Sequence, residues 1–168
     1  NQTVWGTKTD EYFGSERPEG FLTDGYYTIK NLNSGKWVTV DNTNVLQHST
    51  SEAWKFTRQP DGLYTIQNAG GLAMTVANSD GTNGNNVFLS ELTQDISQKF
   101  RVRKNTDGTY AVLSACSDFY GGLDVFEISK EDGANICQWM YWSGDGQKFI
   151  LNRTEAPVVT GDINADMS

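Results

Sequence analysis

The side chains best suited to catalysis are few and scattered in this 168-residue chain. It holds one histidine, His48, and two cysteines, Cys116 and Cys137. His48 has no serine or cysteine partner in a recurring motif, so a nucleophilic dyad is unsupported. Metal-ligand spacing of His and Cys is missing. Thirteen Asp and eight Glu make some carboxylate pair inevitable, but the aspartates mostly stand at turn positions. Glycoside hydrolysis needs two carboxylates facing each other across a cleft. The chemistry within reach is of another kind. Carboxylate oxygens accept charge-assisted hydrogen bonds from neighbouring hydroxyls, and aromatic faces offer an apolar platform for C–H groups.

The elements that must position such groups are written three times along the chain. Each copy opens on Asp-Gly followed by an aromatic and a β-branched residue two apart: Tyr27 and Ile29, Tyr64 and Ile66, Tyr110 and Val112. Each closes on an aromatic after a lysine, in Trp54-Lys55-Phe56, Gln98-Lys99-Phe100 and Gln147-Lys148-Phe149. A period of about forty residues means one small unit used repeatedly around a shared core. The copies run over 24–58, 61–103 and 107–152. The second and third share their spacings, whereas the first has only five residues from Val40 to Val45 and has lost part of both loops.

Apolar residues alternate with period two inside each unit, between Asp-Gly, Asn and Ser clusters, and sustained helical spacing is absent. That pattern reads as half-buried strands joined by tight turns. About four short strands per unit make about twelve in all, too few units for a propeller. A closed barrel with threefold pseudosymmetry, which also removes exposed sheet edges, fits better. The expected fold is an all-β β-trefoil over 24–153, with Tyr27, Tyr64, Tyr110, Phe56, Phe100 and Phe149 in its core. Residues 1–23 read as a linker or as a strap packed on that core, and 154–168 as a linker with a further segment.

Composition excludes several partners. The formal charge is −8, and an acidic surface without basic clusters argues against nucleic acid and anionic membranes. No apolar run is long enough for a membrane-spanning helix, and no signal peptide is recognisable at Asn1. Cys116 and Cys137 lie in one repeat and stand as either bridged or free.

The Gln-x-Trp/Phe closing motif, Leu123-Asp124-Val125 before Asp132-Gly133-Ala134-Asn135-Ile136, and the threefold repetition resemble the ricin-type β-trefoil lectins, in particular family 13 carbohydrate-binding modules. The resemblance covers roughly 24–153. It implies a sugar site in which an aspartate at one strand end is paired with an aromatic in the next strand, the aspartate being supported by the closing glutamine. On that pattern Asp124, Trp139 and Gln147 of the third repeat form the site. Asn135 stands in the intervening loop, and Tyr141 widens the platform if the strand stays regular beyond Trp139. Two positions depart from the pattern: Cys137 stands where glutamine is frequent, and Gly146 where asparagine is usual. Thr39 and Thr75 hold the aspartate position in the other repeats, and His48 and Ser90 the aromatic one. Asp41, Gln47 and His48 form an alternative, shallow site.

The tail is similar to the start of a cellulosomal dockerin. Asp162, Asn164 and Asp166 match the first calcium ligands, but Met167 replaces glycine and the distal ligands are missing, so calcium is expected only with a complete loop. The resemblance thus implies a non-catalytic module, without a cofactor of its own, on a secreted extracellular enzyme. It would bind plant cell-wall polysaccharide, with galactose-, arabinose- and xylose-containing polymers all compatible. It would be linked covalently to a catalytic domain and reach a cohesin through the full-length dockerin. The competing readings are a protein-binding trefoil, such as a protease inhibitor, and a small hydrolase.

Overall fold

The structure, a computed structural model, describes residues 21–158. Most of the segment 1–23, expected as a linker or a strap, and the Asp162, Asn164 and Asp166 stretch lie outside the described residues. The described residues form twelve strands: β1 (Gly25–Asn31), β2 (Trp37–Asp41), β3 (Asn44–His48), β4 (Trp54–Arg58), β5 (Tyr64–Gln67), β6 (Ala73–Val76), β7 (Val87–Ser90), β8 (Phe100–Lys104), β9 (Tyr110–Ser114), β10 (Gly121–Val125), β11 (Ile136–Met140) and β12 (Phe149–Thr154).

Six of them close a barrel through the antiparallel pairs β1–β4, β4–β5, β5–β8, β8–β9, β9–β12 and β12–β1. The hairpins β2–β3, β6–β7 and β10–β11 cap one end. This is the expected β-trefoil. Phe56, Phe100, Phe149, Ile29 and Ile66 are fully buried where the repeats meet, Tyr27 and Tyr64 join them, and Tyr110 packs against the cluster half-buried.

The repeated dipeptides have local causes. Gly62 and Gly108 sit at φ 86° and 89°, a region open to glycine and costly for most side chains. Asp61 and Asp107 accept from the amides of Leu63 and Thr109 at 3.0 and 2.9 Å, which closes each turn. In the second and third repeats the lysine before the closing phenylalanine returns to the Asp of its own repeat: Lys99 reaches Asp61 at 3.1 Å and Lys148 reaches Asp107 at 3.7 Å. Such half-exposed pairs add little stability.

The repeats interlock at the cap. Asn44 donates to Asn135 at 2.9 Å, Asn135 to Asn86 at 2.8 Å, and Asn86 to Asn44 at 2.8 Å, a closed ring of amides with one member from each repeat. Asn135 therefore serves the cap, and its side-chain amide is not directed at the expected sugar site. Removing one member leaves two amides each short of a partner, so Asn86→Ala is expected to cost about 1–3 kcal/mol. Urea unfolding checks this, and a loss below a few tenths would show the ring to be incidental.

Two of the three cap hairpins also hold the long loop of another repeat. Gln47 of β3 donates to the Ser129 and Glu131 carbonyls at 3.1 and 2.8 Å. Gln138 of β11 does the same to Asp80 and Thr82 at 2.8 and 3.3 Å. Leu89 stands at the matching place in β7, where its amide meets Thr43 of the shortened first-repeat hairpin. With no long loop there to hold, an apolar residue suffices. Gln47 is thus fully buried and committed, which removes it from the alternative site with Asp41 and His48. Cys116 and Cys137 are both free.

Candidate functional site

The β10–β11 ladder sets the geometry. Asp124 lies opposite Cys137, and Gly122 opposite Trp139. Side chains alternate across a strand, so Asp124, Cys137 and Trp139 share one face. Gly122 has to be glycine, because a Cβ there would meet the Val112 carbonyl at 2.9 Å. Asp124 and Trp139 line one cavity of about 290 Å³ together with Phe126, Glu127, Ile128, Cys137 and Trp142. Trp139 is 36% exposed, so its ring faces solvent as well as the cavity.

Asp124 is buried, with 8% of its surface accessible. Burial raises its pKa from 3.8 to about 6, against the opposing effect of a hydrogen bond from Gln147. That bond runs from Gln147 Nε2 to Asp124 Oδ2 at 3.0 Å. The same nitrogen donates to the Met140 carbonyl at 2.9 Å, and Gln147 Oε1 accepts from the Trp142 amide at 2.9 Å. Gln147 thereby ties the carboxylate to the end of β11. Asp124 Oδ1 has no donor among the described residues. It faces Gly146, where an added Cβ would lie 3.4 Å away.

The second aromatic is Trp142 and not Tyr141. β11 ends at Met140, and Ser143 takes a left-handed φ of 67°, so the alternation that would have carried Tyr141 to the Trp139 side stops. Tyr141 instead sits under Arg103, 5.3 Å from its ring centre, with its hydroxyl buried and without a partner among the described residues. Trp142 turns outward, 58% exposed. Phe126 and Ile128 were also missed from sequence. They stand in the loop after β10, at 43% and 44% exposure, in a stretch without period-two alternation.

The second repeat keeps the frame of this site without its working groups. Gln98 Nε2 donates to Thr75 Oγ1 at 3.1 Å and to the Glu91 carbonyl at 2.7 Å, and its Oε1 accepts from the Thr93 amide at 2.8 Å. Thr75 and Ser90 supply neither a carboxylate nor a ring. In the first repeat Trp54 fills the glutamine position, fully buried and donating to the Val38 carbonyl at 2.9 Å. His48 is exposed on the surface. Among the described residues no group of three or more His, Cys, Asp or Glu could hold a metal ion.

Residues 19–87 and 50–139 match the family model described as ricin-type beta-trefoil lectin domain-like. No curated protein sequence matches the chain. Among solved structures, the designed threefold-symmetric protein ThreeFoil is 31% identical with a TM-score of 0.73, over 78% of this chain and all of that one. An exo-beta-1,3-galactanase from Clostridium thermocellum is 26% identical with a TM-score of 0.70, over 80% of this chain but 31% of its own. A ricin B-like lectin from Macrolepiota procera, solved with lactose, shares the fold at 12% identity and a TM-score of 0.69, over 80% and 99% of the two chains.

Proposed function

Since the chain belongs to the ricin-type β-trefoil lectin domain-like family, we propose that it is a non-catalytic sugar-binding module whose one working site is the Asp124 and Trp139 cavity of the third repeat. The observation that carries this reading is their convergence. A carboxylate oxygen without a protein donor and a half-exposed indole face line the same opening. Asp124 Oδ1 accepts from ring hydroxyls, Trp139 and Trp142 stack against the C–H face, and Gln147 holds the carboxylate in place. The natural ligand is plant cell-wall polysaccharide. A single shallow site binds weakly, and tethering to a secreted catalytic domain supplies retention. The likeness to part of the galactanase chain supports that attachment. A cohesin would be reached through a complete dockerin.

Affinity electrophoresis against arabinan, galactan and xylan tests the reading, and retardation by at least one polymer is expected. Turnover of any of them by the domain alone would refute it. Binding by a protein partner with no polysaccharide retardation would favour a protein-recognition role.

The reading also fixes a pH dependence. Ring hydroxyls donate to the ionised carboxylate, which exists in the free domain only above pH 6 or so. Affinity should rise as pH increases through that value and level off above it. The expected change between pH 5 and pH 7 is about tenfold. A flat titration over that range would show that Asp124 does not contact the ligand as an anion.

A further inference from the structure

The kind of sugar this cavity accepts follows from what its walls can offer, an inference that rests on the sugar-binding reading above. Nearly every amide nearby is already committed. Gln147 uses its nitrogen on Asp124 and Met140 and its oxygen on Trp142. Asn135 is held in the amide ring, and Gln138 is held by Ser114, Asp80 and Thr82. Directly across from Asp124 lies Cys137, 1% exposed. Burial, reinforced by the nearby Asp124 charge, pushes its thiol up to about 12, leaving a neutral and weak hydrogen-bonding group. Gly146 supplies no side chain beside Asp124 Oδ1. The remaining walls are the apolar side chains of Phe126 and Ile128, the rings of Trp139 and Trp142 with one indole N–H each, and the carboxylate of Glu127.

The backbone presents the apolar wall at a conformational cost. Glu127 and Ile128 sit at φ 58° and 54°. A β-branched residue rarely adopts that region. The matching residues of the second repeat, Asn78 and Ser79, take φ 66° and 51° with polar side chains. Ile128, whose counterpart is Ser79, thus lines the cavity from a left-handed position that asparagine tolerates better.

A pyranose held by Asp124 satisfies the hydroxyls that meet the carboxylate. An exocyclic hydroxymethyl turned toward the side chains of Phe126 and Ile128 gives up water and gains no partner from them. A uronate would in addition face two carboxylates, Asp124 and Glu127. We propose that the third-repeat cavity selects neutral sugar units lacking an exocyclic hydroxyl, 6-deoxyhexopyranoses and pentopyranoses, over the matching hexopyranoses and uronic acids.

Titration of the tryptophan fluorescence with methyl glycosides tests this in two configurational series, galacto and gluco. Each series comprises the hexoside, its 6-deoxy counterpart, its pentoside counterpart and its uronate. In whichever series binds, the 6-deoxy and pentoside forms should bind at least about fivefold tighter than the hexoside, close to 1 kcal/mol, and the uronate should be weakest. A hexoside that binds equally or better, or a uronate that binds best, overturns the selectivity while leaving sugar binding intact. Binding by no member of either series overturns both. Ile128→Asn suits the left-handed backbone, so it should fold, and it places an amide in the apolar wall. It should shrink the preference to less than about twofold. A preference left unchanged by this variant would show that the wall is not its source.

Discussion

Asp124→Asn is expected to abolish polysaccharide retardation and, at pH 7, to make the domain more stable than the natural one. Both effects come from burying a carboxylate beside a single amide donor. In the fold its pKa is about 6, against 3.8 as the ordinary value, so the folded state holds the proton more tightly than the unfolded chain does. Below pH 3.8 both states are protonated and no cost arises. As pH rises from there toward 6, the unfolded chain ionises first and stability falls. Above 6 the loss is complete and constant, and two units correspond to about 3 kcal/mol at most. Asparagine removes the ionisation but keeps an oxygen for Gln147, and should recover about 1–2 kcal/mol of that at pH 7. Near pH 3.5 the two proteins should unfold at similar urea concentrations. A variant equally destabilised at both pH values would show that the carboxylate is a structural anchor. Unchanged retardation by Asp124→Asn would place the site elsewhere.

Trp139→Ala should weaken binding by about 1–3 kcal/mol, up to roughly a hundredfold, because the variant loses the platform on which the sugar lies. Its effect on urea unfolding should be smaller than that of truncating a fully buried core aromatic such as Phe149, since Trp139 is 36% exposed. The neighbouring aromatics separate this site from the one expected of a regular strand. Trp142→Ala should cost binding about 0.5–1.5 kcal/mol. Tyr141→Phe should leave binding untouched and keep or raise stability, because the hydroxyl it removes is buried without a partner among the described residues. Isothermal titration with the best ligand, alongside unfolding curves, measures all three. A binding loss at Tyr141 with none at Trp142 would mean that β11 continues its alternation through residue 141 in solution.

Much of the fold was legible because its signals are local. Period-two alternation, Asp-Gly turns and a lysine-aromatic closure lie within a few residues of each other, and their threefold recurrence points to one closed barrel. The convergence of Asp124 with Trp139 was legible too, given a turn between two strands and an even register. The rest of the site depends on where regularity stops. Trp142 and Tyr141 exchange places because the strand ends at Met140, and just beyond it the Trp142 amide donates to Gln147 Oε1. Asn135 looked like a loop residue free to meet a sugar, but its amide closes a ring with Asn44 and Asn86, far from it in sequence.

By itself the sequence determined the repeat, the strand number, the barrel core and the face shared by Asp124 and Trp139, since each follows from side-chain periodicity along a single segment. Only the tertiary structure decided how deeply Asp124 is buried, which second ring flanks the cavity, and which polar side chains are already taken by other repeats. Those outcomes depend on which donor meets which acceptor across the pseudo-threefold axis, as when Gln47 of the first repeat holds the loop of the third. No window along one chain segment contains both partners of such a bond.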